Sequence, residues 1–278
     1  MSTQKNKMGS KVSALVECAI MIALSTILSL IKLYELPYGG AVTAASMLPI
    51  IIVAYRHGTA VGLGAGLVCA VLQQLFGLNT LSYATSWKAV VAIIFLDYLL
   101  AFVVAGLGGV FRKKGRRASN ALLWGGILAC LLRYLCHTIA GATVWAGISI
   151  PTKAALIYSI SYNATYMLPE TVVLSVAIIY VASVINFETQ IPTRVKSGSD
   201  DILARLMPLV GGLLLAGVAI FDSVKILPAL QNPDSGEFDI TRLATLDYTS
   251  VIIVTVAAVV LASFCFIISA VRNKKLSS

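Results

Sequence analysis

Eight apolar stretches dominate this chain, at approximately 12–32, 42–56, 58–77, 89–111, 120–142, 155–184, 203–221 and 250–271. The hydrocarbon core of a bilayer is about 30 Å thick, which a helix crosses in roughly 20 apolar residues. Most of the stretches match that length. The second is shorter, and only Arg56-His57-Gly58 separates it from the third. Charged residues make up 12% of the chain, about half the share in a soluble domain, and mean hydropathy is +0.90. A soluble globular fold and a disordered chain are both excluded. Lipid offers no partner to an unpaired backbone group, so repeated long apolar runs mean helices. The expected class is an all-α integral membrane protein. The sixth stretch is longer than a span needs and is expected to begin as a loop or interfacial turn. No signal-peptide cleavage pattern precedes the first stretch, which is expected to be a retained helix.

The net charge of +9 would suggest nucleic acid in a soluble protein. Here the basic residues flank apolar runs, and the rule that Lys and Arg favour the cytoplasmic side explains them better, so no nucleic-acid partner is expected. With the N-terminus inside, 15 Lys and Arg fall on the cytoplasmic side, including the RKKGRR loop at 112–117. Only Lys32, Lys88, Lys153, Lys225 and Arg242 fall outside, and Arg133 lies within a span. Both termini are therefore expected in the cytoplasm of a multi-pass cell-membrane protein. The chain has no GxxxxGK[ST] loop, so ATP binding through a P-loop is not expected. Its five cysteines form no CxxC pair, which argues against a disulfide frame or a zinc site.

Residues 187–202 are polar and contain Pro192, Gly198 and the Asp200-Asp201 pair. They read as a cytoplasmic linker between a six-span unit, 1–186, and a two-span C-terminal extension, 203–278. The segment 222–249, with Asn232-Pro233-Asp234-Ser235-Gly236, reads as an outside loop. Gly58, Gly62 and Gly66 recur every four residues on the third span, a spacing that lets helices approach closely in lipid. Ala19 and Ala23 form a similar small pair on the first.

Polar groups at membrane depth are costly and tend to face a bundle interior or an aqueous cavity. The first six spans hold Glu17, Asp97, Arg133, His137, Asn163 and Glu170. Glu17 lies close enough to its span end to snorkel. Arg133, His137, Gly141 and Trp145 are spaced by four and would form one row on a continuous helix. Asn163, Tyr166 and Glu170 share a face of the sixth span, beside a stripe of Tyr158, Tyr162 and Tyr166. A carboxylate at depth wants a cation or a hydrogen-bond donor. An indole attracts an organic cation, while amide, phenol and imidazole groups read ring nitrogens and amines. The set suits a small, flat, cationic heterocycle. A second reading fits equally: Arg133 pairs Asp97 or Glu170 structurally, His137 is packed, and the aromatics form an interface belt.

LRYLCHTIAGATVW (132–145) with YSISYN (158–163) resembles the thiamine-specific S-component of energy-coupling factor (ECF) vitamin transporters, the ThiT family. LDYLLAF (96–102) and YGGAVTAASMLPI (38–50) are similar to further parts of it, so the resemblance covers about residues 10–185. It implies a six-helix bundle that binds thiamine near its outer side without any cofactor. Trp145 would stack on a thiamine ring, His137 and Asn163 would hydrogen-bond it, and Tyr158 would line the pocket. Asp97, with Tyr98 beside it, takes the place of the family's carboxylate, which is commonly Glu. Arg133 matches a supporting basic position, and Glu170 is taken as a second support. Ala19 and Ala23 match the motif that docks such subunits on a membrane coupling protein, which works with two cytoplasmic ATPases. The C-terminal extension lies outside that pattern. Another vitamin or a thiamine precursor is an alternative ligand. An ion-coupled carrier lacks support because no inverted repeat is visible, and an embedded metalloenzyme because no HExxH-type spacing is present.

Overall fold

A computed structural model describes residues 2–36, 39–113, 117–147, 152–189, 191–195, 202–230 and 240–275. The helices, in chain order, are α1 (Ser2–Leu30), α2 (Leu48–His57), α3 (Thr59–Phe76), α4 (Trp87–Gly109), α5 (Ala118–Gly147), α6 (Thr152–Val184), α7 (Ile202–Ala229) and α8 (Thr249–Lys275). Seven of them, all but α2, are long and apolar enough to cross a membrane. Two 3-10 turns, Leu78–Tyr83 and Ile240–Thr245, and two short antiparallel pairs complete the described structure: β1 (Lys32–Glu35) with β2 (Ala41–Thr43), and β3 (Ile185–Asn186) with β4 (Thr193–Arg194). The architecture is an all-α membrane bundle in which α5 and α6 form the central pair.

The second apolar stretch departs from its sequence reading. Its first residues form β2, and α2 has only 10 residues, about 15 Å at 1.5 Å per residue and half of a bilayer core. Every residue from Leu48 to Tyr55 is buried. Apolar on all sides through Ile50-Ile51-Ile52-Val53, this helix faces protein all round instead of lipid. Gly58 ends it at φ +94, in the left-handed region that glycine enters without cost, and reverses the chain into α3. The small-residue spacing on α3 serves internal packing. A Cβ at Gly62 would lie 2.4 Å from the Ala54 Cβ and 2.8 Å from the Gly106 carbonyl, so α3 meets both α2 and α4 there.

The sixth stretch also differs from expectation. It is one continuous helix of 33 residues, with no loop or turn at its start. Ala155 and Ser159 are fully buried against the bundle, so packing begins in its first turns. The polar stretch after it is anchored: the Arg56 guanidinium donates to the carbonyls of Phe187 (2.6 Å) and Thr189 (3.0 Å). Glu17 does not snorkel outward. It pairs with Arg56 and His57, whose Nε2 lies 2.9 Å from Oε2, and so ties α1 to the α2–α3 turn.

In the C-terminal extension, α7 runs on to Ala229, so the first part of the expected outside loop is helix. Residues 231–239 of that loop and 196–201 of the linker lie outside the described residues. Helix α7 packs on α6 and touches β1, and α8 packs on α7. Ile252, Val256, Val260 and Ile267 of α8 are all exposed, as suits a helix facing lipid chains.

Candidate functional site

The site begins with an irregular helix. Ser86 caps α4 by accepting from the Ala89 N–H at 3.2 Å. One turn later the helix widens into a π-helical segment, Ile93–Leu100, which contains Asp97 and Tyr98. Such segments cost backbone regularity and recur at functional sites. The Tyr98 hydroxyl donates to the Gly77 carbonyl (3.1 Å) and lies 3.1 Å from Thr80 Oγ1. A Cβ at Gly77 would stand 1.9 Å from that hydroxyl, so only glycine leaves room for it.

Helix α5 is continuous, so the four-residue spacing places Arg133, His137 and Gly141 in one row, and all three line the same cavity as Asp97. Trp145 continues the row on the helix, and its side chain lies outside the described residues. The row makes a polar chain. Arg133 Nε donates to His137 Nε2 at 3.0 Å. Arginine has no acceptor, so Nε2 carries no proton, and the imidazole proton sits on Nδ1, where it is donated to Asp97 Oδ1. The imidazole thus bridges the Arg133 guanidinium and the Asp97 carboxylate. The Asp97 side chain keeps 32% of its surface exposed, while Arg133 and His137 are buried. Arg133 also lies over the Phe102 ring, 4.4 Å from its centroid. Its Nη1 is buried without a hydrogen-bond partner. The cavity thus combines a partly exposed carboxylate with a buried donor that no protein group uses.

Helix α6 supplies the opposite wall with Tyr162, Asn163 and Tyr166. The Asn163 amide donates to Ser159 O (2.8 Å) and reaches His137 O (3.3 Å), while its Oδ1 accepts from the Tyr166 hydroxyl (2.6 Å). Asn163 therefore locks α6 to α5. Tyr158 stacks on Tyr162 (6.1 Å, 9°) and stands behind the wall that Tyr162 forms. Glu170 is buried beneath the cavity, 1% exposed, and is not part of its lining. Its carboxylate accepts from the Thr43 N–H (2.6 Å) and hydroxyl (2.7 Å), which fixes the end of β2.

The β1–β2 hairpin covers the mouth. Gly39, Gly40, Ala41 and Thr43 line it, and Lys32 at the rim pairs with Glu35. Burial raises the phenol of Tyr34 above its usual range. A Cβ at Gly40 would come within 2.6 Å of the Tyr166 ring, so a side chain there would push the hairpin off α6. The enclosed volume is about 280 Å³. A groove of about 1380 Å³ lies between α6 and the C-terminal hairpin at the other end of the bundle. It is a poorer candidate for a polar ligand. Its hydroxyls at Thr171, Ser183 and Ser269 are committed to helix carbonyls, and Arg194 is its only charged lining residue among those described.

Sequence reasoning had located Asp97, Tyr98, Arg133, His137 and Asn163, which converge on this cavity. It missed Tyr162, Tyr166 and Phe102 as walls, Thr43 as the partner of Glu170, and Gln73, whose amide donates to Ser29 Oγ at 2.7 Å. The tyrosine stripe was the available signal for two of them. Ala19 and Ala23 are both exposed on α1 and do not line the cavity, which that helix reaches at Ser29 and Leu30. Among the described residues, no group of three or more His, Cys, Asp or Glu side chains could hold a metal ion.

Comparison with known proteins gives the chain its family. The thiamine transporter ThiT of Bacillus subtilis (strain 168) is 30% identical over 175 residues, a match spanning 59% of this chain and 87% of that protein. A solved structure of ThiT from Listeria monocytogenes superposes with a TM-score of 0.51 at 25% identity, covering 62% of this chain and 94% of that one. The family model described as thiamine transporter protein (Thia_YuaJ) matches residues 15–189, which leaves α7 and α8 outside it. That match covers well over half of the chain, which therefore belongs to the thiamine transporter protein family.

Proposed function

We propose that this protein is the thiamine-binding S-component of an ECF importer, with thiamine held in the cavity beneath the β1–β2 hairpin. Family membership makes it a transporter protein rather than an enzyme. The observation that carries the proposal is the Arg133–His137–Asp97 chain. It holds a carboxylate, partly exposed to the cavity, in place before any ligand arrives. A cation transferred from water into such a site needs a facing anion to offset its desolvation, and Asp97 is positioned to supply one. The unpartnered Arg133 Nη1 suits an acceptor on the same ligand. Thiamine carries both features, a permanent cation and ring nitrogens with lone pairs. Trp145, one turn beyond Gly141, would stack on a ring.

The excess of basic residues on one side supports an orientation with both termini in the cytoplasm and the hairpin-covered cavity facing outside. Thiamine would then be captured from outside. The exposed Ala19 and Ala23 face of α1 would dock on a membrane coupling protein, and two cytoplasmic ATPases would supply the energy. The decisive experiment has two arms. Titration of purified protein with thiamine should saturate without added metal. Uptake in cells should require the coupling protein and the ATPases. Uptake that persists without the ATPases would contradict the importer assignment.

A further inference from the structure

The C-terminal hairpin touches α6 at a point where that helix lacks a backbone donor of its own. Pro169 lies inside α6. Proline has no N–H, so it cannot bond the carbonyl four residues back, which is that of Thr165. In a bilayer a carbonyl left this way has no water to turn to, and a neighbouring side chain must satisfy it. The side chain that does so comes from α7. The hydroxyl of Ser223, itself buried, donates to Thr165 O at 2.8 Å. Its own helix carbonyl, Ala219 O, stands at 3.0 Å, so the single proton is shared with the nearer acceptor on α6.

The position of this repair gives it a consequence. On the N-terminal side of Pro169, Asn163 and Tyr166 form the cavity wall, and Asn163 fastens α6 to α5. On its C-terminal side, Glu170 grips Thr43 at the end of the hairpin that covers the mouth. The proline turn therefore sets the wall relative to the cover. Helix α7 also touches β1 of that cover. We infer that the C-terminal hairpin is a working part of the binding site, and that Ser223 is a positioning residue. It completes the hydrogen bonding of α6 at Pro169 and so holds Asn163, Tyr166 and Glu170 in register.

The inference rests on the thiamine reading given above, and its test separates the two. Thiamine affinity and dissociation rate are measured on four full-length proteins: the parent, Ser223→Ala, Pro169→Ala and the double variant. If the parent fails to bind thiamine, the functional reading fails. If it binds, Ser223→Ala should weaken affinity about threefold to tenfold, mainly through faster dissociation, as for loss of one buried hydrogen bond. Alanine at 169 restores an N–H to Thr165 O, so Ser223→Ala should cause no further loss in that background. Ser223→Thr, which keeps the hydroxyl, should stay close to the parent even if Pro169→Ala does not fold. The inference is overturned if Ser223→Ala binds as the parent does. It is also overturned if Ser223→Thr is as weak as Ser223→Ala, or if the loss is the same with alanine at 169.

Discussion

Among the described residues, two aspartates lie within helices long and apolar enough to cross a membrane, one in the family-matched bundle and one in the C-terminal hairpin, and they are treated differently. Asp97 sits on a π-helical segment, accepts a hydrogen bond from His137 and keeps about a third of its side chain open to a cavity. Asp222 of α7 accepts from the Thr255 hydroxyl of α8 at 2.9 and 3.0 Å and lines neither cavity. On the proposal made above, the first is held for a ligand. The second joins two helices. Polarity at depth alone does not separate a site from a brace. The separation comes from what the neighbouring groups leave unused.

That contrast can be broken most sharply at the aspartates themselves. Asp97→Asn keeps the shape and still accepts from His137, but it removes the charge. Thiamine affinity should fall by about 1.5–3 kcal/mol, roughly 10- to 150-fold, as for a lost charge-assisted hydrogen bond. Asp97→Glu should retain much of the binding. Asp222→Asn should leave affinity within about twofold, because the amide oxygen still accepts from Thr255. Equal losses at both positions would erase the distinction.

The tryptophans sharpen it next. Trp145→Ala should cost about 1–2 kcal/mol, roughly 5- to 30-fold, and Trp145→Phe less, because an indole gains most from a stacked cation. Trp87 and Trp124 are exposed at 73% and 54%, so alanine at either should leave binding unchanged. Quenching by thiamine should be strong in the parent and weak in Trp145→Phe. Quenching that survives this change would remove Trp145 from the site.

The smallest effect concerns the hairpin as a whole. The sequence presents α7 and α8 as separable, since every candidate ligand residue precedes 171. The Ser223–Thr165 bond and the contact of α7 with β1 qualify that expectation. A protein truncated after about residue 190 should still bind thiamine, about three- to tenfold more weakly, if it folds. Unchanged affinity would restore the fully modular view, whereas complete loss in a folded protein would place the hairpin directly in the site.

The readable parts of the site were those set by helical periodicity. Arg133, His137 and Gly141 needed only a four-residue spacing and a helix long enough to carry it. The unreadable parts depend on partners distant in sequence. An apolar run has the same composition whether it faces lipid or protein, so α2 read as a span when it is a buried half-helix. The cover over the cavity pairs Lys32–Glu35 with Ala41–Thr43 and is fixed by Glu170, which follows Thr43 by 127 residues. The π-helical turn at Asp97 and the repair at Pro169 are likewise settled by neighbours. Proline in α6 was visible as a missing donor, but nothing local identified Ser223 as the group that answers it.

The central claim is that thiamine binds in the outer cavity through Asp97. Titration calorimetry of thiamine into the detergent-purified full-length protein, beside Asp97→Asn and Asp222→Asn, tests it most directly. The account predicts saturable one-to-one binding, lost or weakened at least tenfold in Asp97→Asn and preserved in Asp222→Asn. Saturable binding that Asp97→Asn leaves untouched would contradict it.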